Sequence, residues 1–484
     1  MDLALPFSTA ELAFIGVYLL SLIALGYFGM RARQEDSLRD FYLAGRGVGM
    51  MVLLLTLYST QYSGNTLFGF SSKAYDIGFR WLVCVHFMTA IVMVYLLLAP
   101  RLYAIARRRQ FITPADYLMH RYGSRTLASL ASLLMIFAAA NFLIAQLKAL
   151  GSALEGFAPE SPAQAYFIGV ISLALIIVIY ESLGGFRSVA WTDAIQGSVL
   201  MIGFVVLLVI VLRRFGPLSE ITQILAAEAP EKLAPPSADE VREWISWILI
   251  VGIGGALYPQ AIQRIFAARS AKVLRTSLSI MAFLPLTTTL IAVLFGVTAA
   301  ARLGAGIDGD HVLTVVLSDV HGSSLIGRWI VVVLFSAILA ALMSTADSVL
   351  LSLSSMVTKD FVAVARPEWS QRRLTHVGKV CSWIVIAIAV AVAIQLRETR
   401  LVTLLKIKFE LLTQLAPAFF LGLHWQRAKA SPILLGMLVG LATALFLVFT
   451  GNDKPYGIHA GLYGMVVNLV VALVGSAILP QRAD

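Results

Sequence analysis

Thirteen stretches of about 20 mostly apolar residues divide this chain, close to the length a helix needs to cross a bilayer. They fall near residues 10–30, 49–70, 81–103, 126–150, 164–182, 190–213, 243–264, 276–302, 325–352, 376–396, 402–424, 431–450 and 458–480. No other feature restricts the fold so tightly, because a spanning segment must satisfy its backbone internally, as a helix or within a closed barrel. With 59% hydrophobic and 13% charged residues, the 484-residue chain is too apolar to bury its side chains in a water-soluble core. The fold class expected is an all-α polytopic membrane protein of about 13 transmembrane helices.

The charges follow from that topology. Segments rich in Lys and Arg, such as "RLYAIARRRQFITPADYLMHRYGSR" and "TKDFVAVARPEWSQRRLTHVGK", fall in loops that alternate spans place on one side. The positive-inside rule makes that side the cytoplasm and puts the N-terminus outside and the C-terminus inside a cell (inner or plasma) membrane. The excess of ten positive charges therefore sits at span ends and gives no basic face for nucleic acid. The first apolar run lacks a basic leader and is too long for a signal peptide, so it is expected to remain as a first span. Cys84 and Cys381 lie inside apolar runs without metal-ligand spacing. The longest polar connection, 213–243, leaves no room for a soluble domain, so function must reside in the membrane.

Two spans are interrupted. The second carries Ser59, Thr60, Gln61, Ser63, Gly64, Asn65 and Thr66 inside an apolar run, and the seventh carries a Gly-rich run followed by Pro259. Counted in order they are five spans apart, an odd number, so they enter the membrane in opposite directions. That is the arrangement of an inverted repeat in which broken helices line a midplane site. The simpler alternative is that these small and polar residues only pack helices together. The organisation expected is one transmembrane domain, with a first span and loop at 1–48, a first repeat at 49–213, its inverted copy at 243–424 and two accessory spans at 425–484.

A third feature is "MSTADSVLLSLSS", starting at Met343, which ends an otherwise apolar span. At 100° per residue, Ala341, Ser344, Thr345, Ser348 and Ser352 share a sector of about 100°, with Asp347 about 60° beyond its edge. Hydroxyl, carboxylate and carbonyl oxygens suit a hard cation. A carboxylate inside a membrane is costly and by default points to function.

The segments "FYLAGRGVG", "YESLGGFRSVAWTDAIQG", "PQAIQRIFAARSAKVLR", "SAILAALMSTADSVLLSLSSMVTKD" and "QLAPAFFLGLHW" resemble, in order and spacing, the sodium/solute symporter family, over about residues 39 to 430. The resemblance implies a five-plus-five core of the LeuT type, with one span before it and two after. It implies a secondary transporter, not an enzyme, that couples a small organic solute to sodium and needs no organic cofactor. The implied sodium ligands are the backbone carbonyls of Ser59, Tyr62 and Ala341 with the hydroxyls of Ser344 and Thr345. Some relatives hold a second cation at positions that correspond here to Asp193, Ser344, Asp347 and Ser348. Two acids side by side also leave proton coupling open, and Asp193 has the alternative role of capping its helix.

Cavity-facing candidates are Gln61, Ser63, Asn65 and Thr66 on the second span, Asn141 on the fourth, and Tyr258 and Gln260 on the seventh. Lys148 is expected to snorkel to the outer surface. Proline-transporting relatives carry aromatics where this chain has Val251 and Gly255, which favours an amino acid other than proline or a small carboxylate. A solute sensor built on the same module is the rival reading. An intramembrane enzyme is disfavoured by the absence of any nucleophile, zinc or paired-aspartate motif.

Overall fold

The computed structural model describes residues 7–158, 160–304, 306–398 and 408–479. Helices dominate it. In chain order they are α1 (Thr9–Arg31), α2 (Leu38–Leu43), α3 (Met50–Gln61), α4 (Gly64–Ile77), α5 (Val83–Arg109), α6 (Pro114–Tyr122), α7 (Arg125–Phe157), α8 (Pro162–Gly184), α9 (Phe186–Ile210) and α10 (Leu218–Glu228). The second half continues with α11 (Ala238–Ala256), α12 (Pro259–Ala267), α13 (Ala271–Met281), α14 (Thr289–Leu303), α15 (Val312–Ser323), α16 (Leu325–Met356), α17 (Gln371–Gln395), α18 (Ala416–His424), α19 (Ala430–Phe449) and α20 (Ala460–Ile478).

Serines start several of the long helices. The side chains of Ser8, Ser124, Ser324 and Ser370 accept from backbone N–H groups in the first turns of α1, α7, α16 and α17, supplying partners that helix N-termini otherwise lack. The outer face is apolar: Phe137, Ile202, Val205, Leu325, Ile326 and Phe446 are all exposed, as expected where lipid is the solvent. Inside, α16 is the central element. Every residue from 334 to 356 on α16 is buried, and its neighbours include α3, α7, α9, α12, α15 and α17.

Every apolar stretch of the sequence meets helices, the eleventh only from residue 408 onward, since 399–407 lie outside the described residues. Both interrupted spans are broken. α3 ends at Gln61 and α4 begins at Gly64. α11 and α12 meet at a bend of 51°, with Pro259 in the first turn of α12, where its missing N–H costs nothing. An isolated bridge between Val48 and Ala268 fastens the start of α3 to the end of α12.

Close approach of helices depends on glycine at two places on α11. A Cβ at Gly252 would lie 2.8 Å from Cβ of Ala90, and one at Gly255 2.7 Å from Ile91, so α5 and α11 touch nearly backbone to backbone. This fit also excludes an aromatic side chain at 255.

Candidate functional site

The break in the first core helix sets the site. Tyr62 leaves helical geometry with φ −102° and ψ 98°, and α4 resumes at Gly64, where a Cβ would overlap the Leu342 side chain of α16. This seats the break directly on the polar face of α16. Ser344 Oγ lies 3.0 Å from the carbonyl of Ser59 and 3.3 Å from that of Ala341. Thr345 Oγ1 lies 3.4 Å and 3.2 Å from the same two oxygens. Four of the five expected sodium ligands thus converge, all fully buried. Tyr62 is the residue at the break itself. The set is neutral oxygen only, which fits a monovalent hard cation and offers nothing to a soft metal. Among the described residues no three His, Cys, Asp or Glu cluster as a metal site.

About one turn along α16 the chemistry changes to charge. Asp193 lies eight positions into α9, whose N-cap is Gly185, and is fully buried, so the capping role does not apply. Its carboxylate meets Arg264, the residue at the end of the seventh apolar stretch. Arg264 on α12 is also fully buried, with its Nη2 2.7 Å from Asp193 Oδ2. Its Nε donates to Thr56 Oγ1 at 2.8 Å and its Nη1 to the Gln260 carbonyl at 3.0 Å. Arg264 also donates to Ser348, and Thr56 to Asp193. Asp347 accepts from the Tyr180 hydroxyl, and from Ser348 Oγ at 3.1 Å. Asp193, Asp347 and Ser348, expected with Ser344 at a second cation site, are therefore joined in one network, with a guanidinium already in it.

Beside the break lies a cavity that encloses about 750 Å³ of empty space with the open solvent at its mouth included. Gln61, Ser63, Thr66 and Tyr258 are on its wall, with Val251 and a run of aromatics that includes Phe87, Phe142 and Trp247. Asn141 and Gln260 are not on that wall. Gln260 is fully buried with its amide unpartnered, and Asn141 is half-buried. Asn65 sits on α4, and its side chain lies outside the described residues. Lys148 does not snorkel: it is 4% exposed and donates to the Arg397 carbonyl. Lys408 is on the cavity wall, a position not expected from the sequence. The signal was a basic residue within an apolar stretch, but with Lys406 and Glu410 beside it the segment reads as a charged span end.

With this geometry in view, comparisons with known proteins converge. A family model described as the sodium:solute symporter family matches residues 41–440. The sodium/pantothenate symporter of Escherichia coli is 28% identical over 467 residues, covering 95% of this chain and 94% of that protein. The osmoregulated proline transporter OpuE of Bacillus subtilis is 26% identical, covering 97% and 95%. Among solved structures, a Na+-coupled sialic acid symporter in a substrate-bound outward-open state superposes with a TM-score of 0.83 at 20% identity, covering 98% of each chain. MhsT in complex with L-phenylalanine gives 0.57 at 15% identity, covering 89% of this chain and 99% of that one. The last two similarities are those of fold.

Proposed function

The chain belongs to the sodium:solute symporter family, and from that premise we propose that it imports a small organic solute with sodium by alternating access around the two helix breaks. It is a multi-pass membrane protein of the LeuT-type fold and a transporter, not an enzyme. The observation that carries the proposal is the convergence of the Ser344 and Thr345 hydroxyls on the Ser59 and Ala341 carbonyls at the break of α3 and α4. Sodium held there, with the carbonyl of Tyr62 as a fifth ligand, would tie α3 to α16. Solute binding next to it, against Gln61, Ser63, Thr66 and Tyr258, makes closure of the cavity depend on both passengers.

The organisation that accompanies this reading is a first span and loop at 1–48, inverted repeats at 49–213 and 243–424, and an accessory pair at 425–484. Arg107 to Arg109 at the end of α5, and Arg372 and Arg373 at the start of α17, support a cytoplasmic side that also holds the C-terminus, with the N-terminus outside. The preferred substrate is an amino acid or a small carboxylate. The relatives are transporters of pantothenate and of proline, and the contact of Gly255 with Ile91 counts against the aromatic that proline-transporting relatives place there. Uptake by proteoliposomes of labelled amino acids, carboxylates and sugars tests the whole reading. At least one solute accumulates with an inward sodium gradient and not with potassium; equal uptake under both would refute sodium coupling.

A second reading, proton coupling, draws on one observation: Asp347 is held by the Tyr180 and Ser348 hydroxyls and, among the described residues, forms no ion pair. Asp347→Asn separates the cases through charge moved per solute. With sodium coupling through Ser344 and Thr345 alone, the variant keeps the wild-type charge ratio and its pH profile. A second cation at Asp347 would lower the ratio by one charge, and a carried proton would flatten the pH dependence.

A further inference from the structure

Among the described residues, the wall of the cavity carries positive charge and no negative charge. Its charged residues are Lys73 and Lys408, and Lys408 is only 3% exposed. The Lys408 ammonium lies 3.3 Å from the ring centroid of Phe142, 5.1 Å from that of Tyr258 and 4.8 Å from that of Phe409. All three rings are on the wall too, and Phe142 and Tyr258 are stacked at 5.5 Å. Among the described residues nothing forms a hydrogen bond or ion pair with Lys408.

Ring faces attract a cation, but an ammonium has three N–H donors, and a buried charge persists only where it is paired and hydrogen-bonded. The aromatic box therefore offsets part of the cost and leaves the donors unmet. The missing partner is an anion that enters through the cavity. Resting on the transport reading above, we infer that the carried solute is a monocarboxylate with an apolar body, its carboxylate held by Lys408. A zwitterion fits poorly, because no acid on the wall receives its ammonium and two lysines repel it. A polyol fits poorly as well, since Gln61, Ser63 and Thr66 supply neutral polar groups at the break while most of the remaining wall is apolar.

The experiment uses the full chain in proteoliposomes at neutral pH, counting only uptake driven by a sodium gradient. The labelled panel comprises lactate, 3-hydroxybutyrate and 4-hydroxyphenylacetate beside neutral amino acids and sugars. Transported acids are then competed with their own primary amides. Wild type carries an acid and is inhibited by acids far more than by amides. Lys408→Gln weakens apparent affinity for the acid about 10- to 100-fold, the cost of one charged hydrogen-bond partner, and abolishes the preference for acid over amide. Lys408→Arg retains the preference. Stabilisation of Lys408→Gln by sodium against heat, at the wild-type level, shows that the protein is folded and the ion site intact. Amides competing as well as acids in the wild type, transport restricted to zwitterions or sugars, or an unchanged acid preference in Lys408→Gln would overturn this inference and leave sodium symport standing. Sodium-driven uptake of nothing in the panel would remove the transport reading and this inference with it.

Discussion

Arg264→Ala destabilises the protein by about 3–5 kcal/mol, the usual cost of removing one partner from a buried ion pair. Both Arg264 and Asp193 are fully buried, so water cannot replace the lost guanidinium. Thr56, Ser348 and the Gln260 carbonyl lose a partner at the same time. Lysine is a poor substitute, because a single ammonium cannot reproduce a fork that meets four groups in fixed directions; Arg264→Lys falls between wild type and alanine. The double variant Arg264→Ala, Asp193→Asn loses less than Arg264→Ala alone, since it no longer strands a charge, and the difference measures the coupling of the pair. Thermal unfolding in detergent reads all four proteins. An Arg264→Ala variant that unfolds with the wild type would mean that the pair contributes nothing.

The second large effect falls on the ion. Ser344→Ala with Thr345→Ala removes two hydroxyl oxygens from the sodium site while leaving the helix backbone and most of the packing in place. Taking each as a ligand to a charged group, at about 1.5–2 kcal/mol, the half-saturating sodium concentration for uptake rises by about 100-fold or more. Thermal stability without sodium changes little, because α16 stays buried among the surrounding helices, and the added stability that wild type gains from sodium disappears. Thr345→Ser, which keeps the oxygen, stays near wild type. If the double variant keeps the wild-type sodium requirement, the ion binds elsewhere.

How much of this could be read in advance differs from residue to residue. Polar and glycine residues inside apolar runs announced both helix breaks, because such groups are expensive in lipid unless a break or a cavity uses them. The polar face of α16 followed from helical periodicity, which sets Ser344, Thr345, Ser348 and Ser352 in one sector; its reading as a sodium site came from the family resemblance. Arg264 did not. In the sequence it opens a basic run, "RIFAARSAKVLR", that looks like a loop, and only the 51° bend between α11 and α12 turns it into the core. Gln260 and Asn141 show the converse error. Their spans were located correctly, but the rotation that decides which side faces the cavity is set by packing against neighbouring helices, and no sequence period encodes it. Lys148 was expected at the surface from its stem length, yet a carbonyl within reach holds it inside.

The guanidinium beside Asp193 has a consequence for the empty carrier's return stroke. A bound sodium ion leaves on the inner side, and any acid it had neutralised would then travel back as bare charge through the membrane's electric field, at about 2.3 kcal/mol per charge for each 100 mV crossed. Arg264 is covalently attached and cannot leave. Where the pair is kept through the cycle, Asp193 is balanced without a diffusible ion, and the reset carries one fewer unbalanced charge than an arrangement that relied on such an ion at the same place.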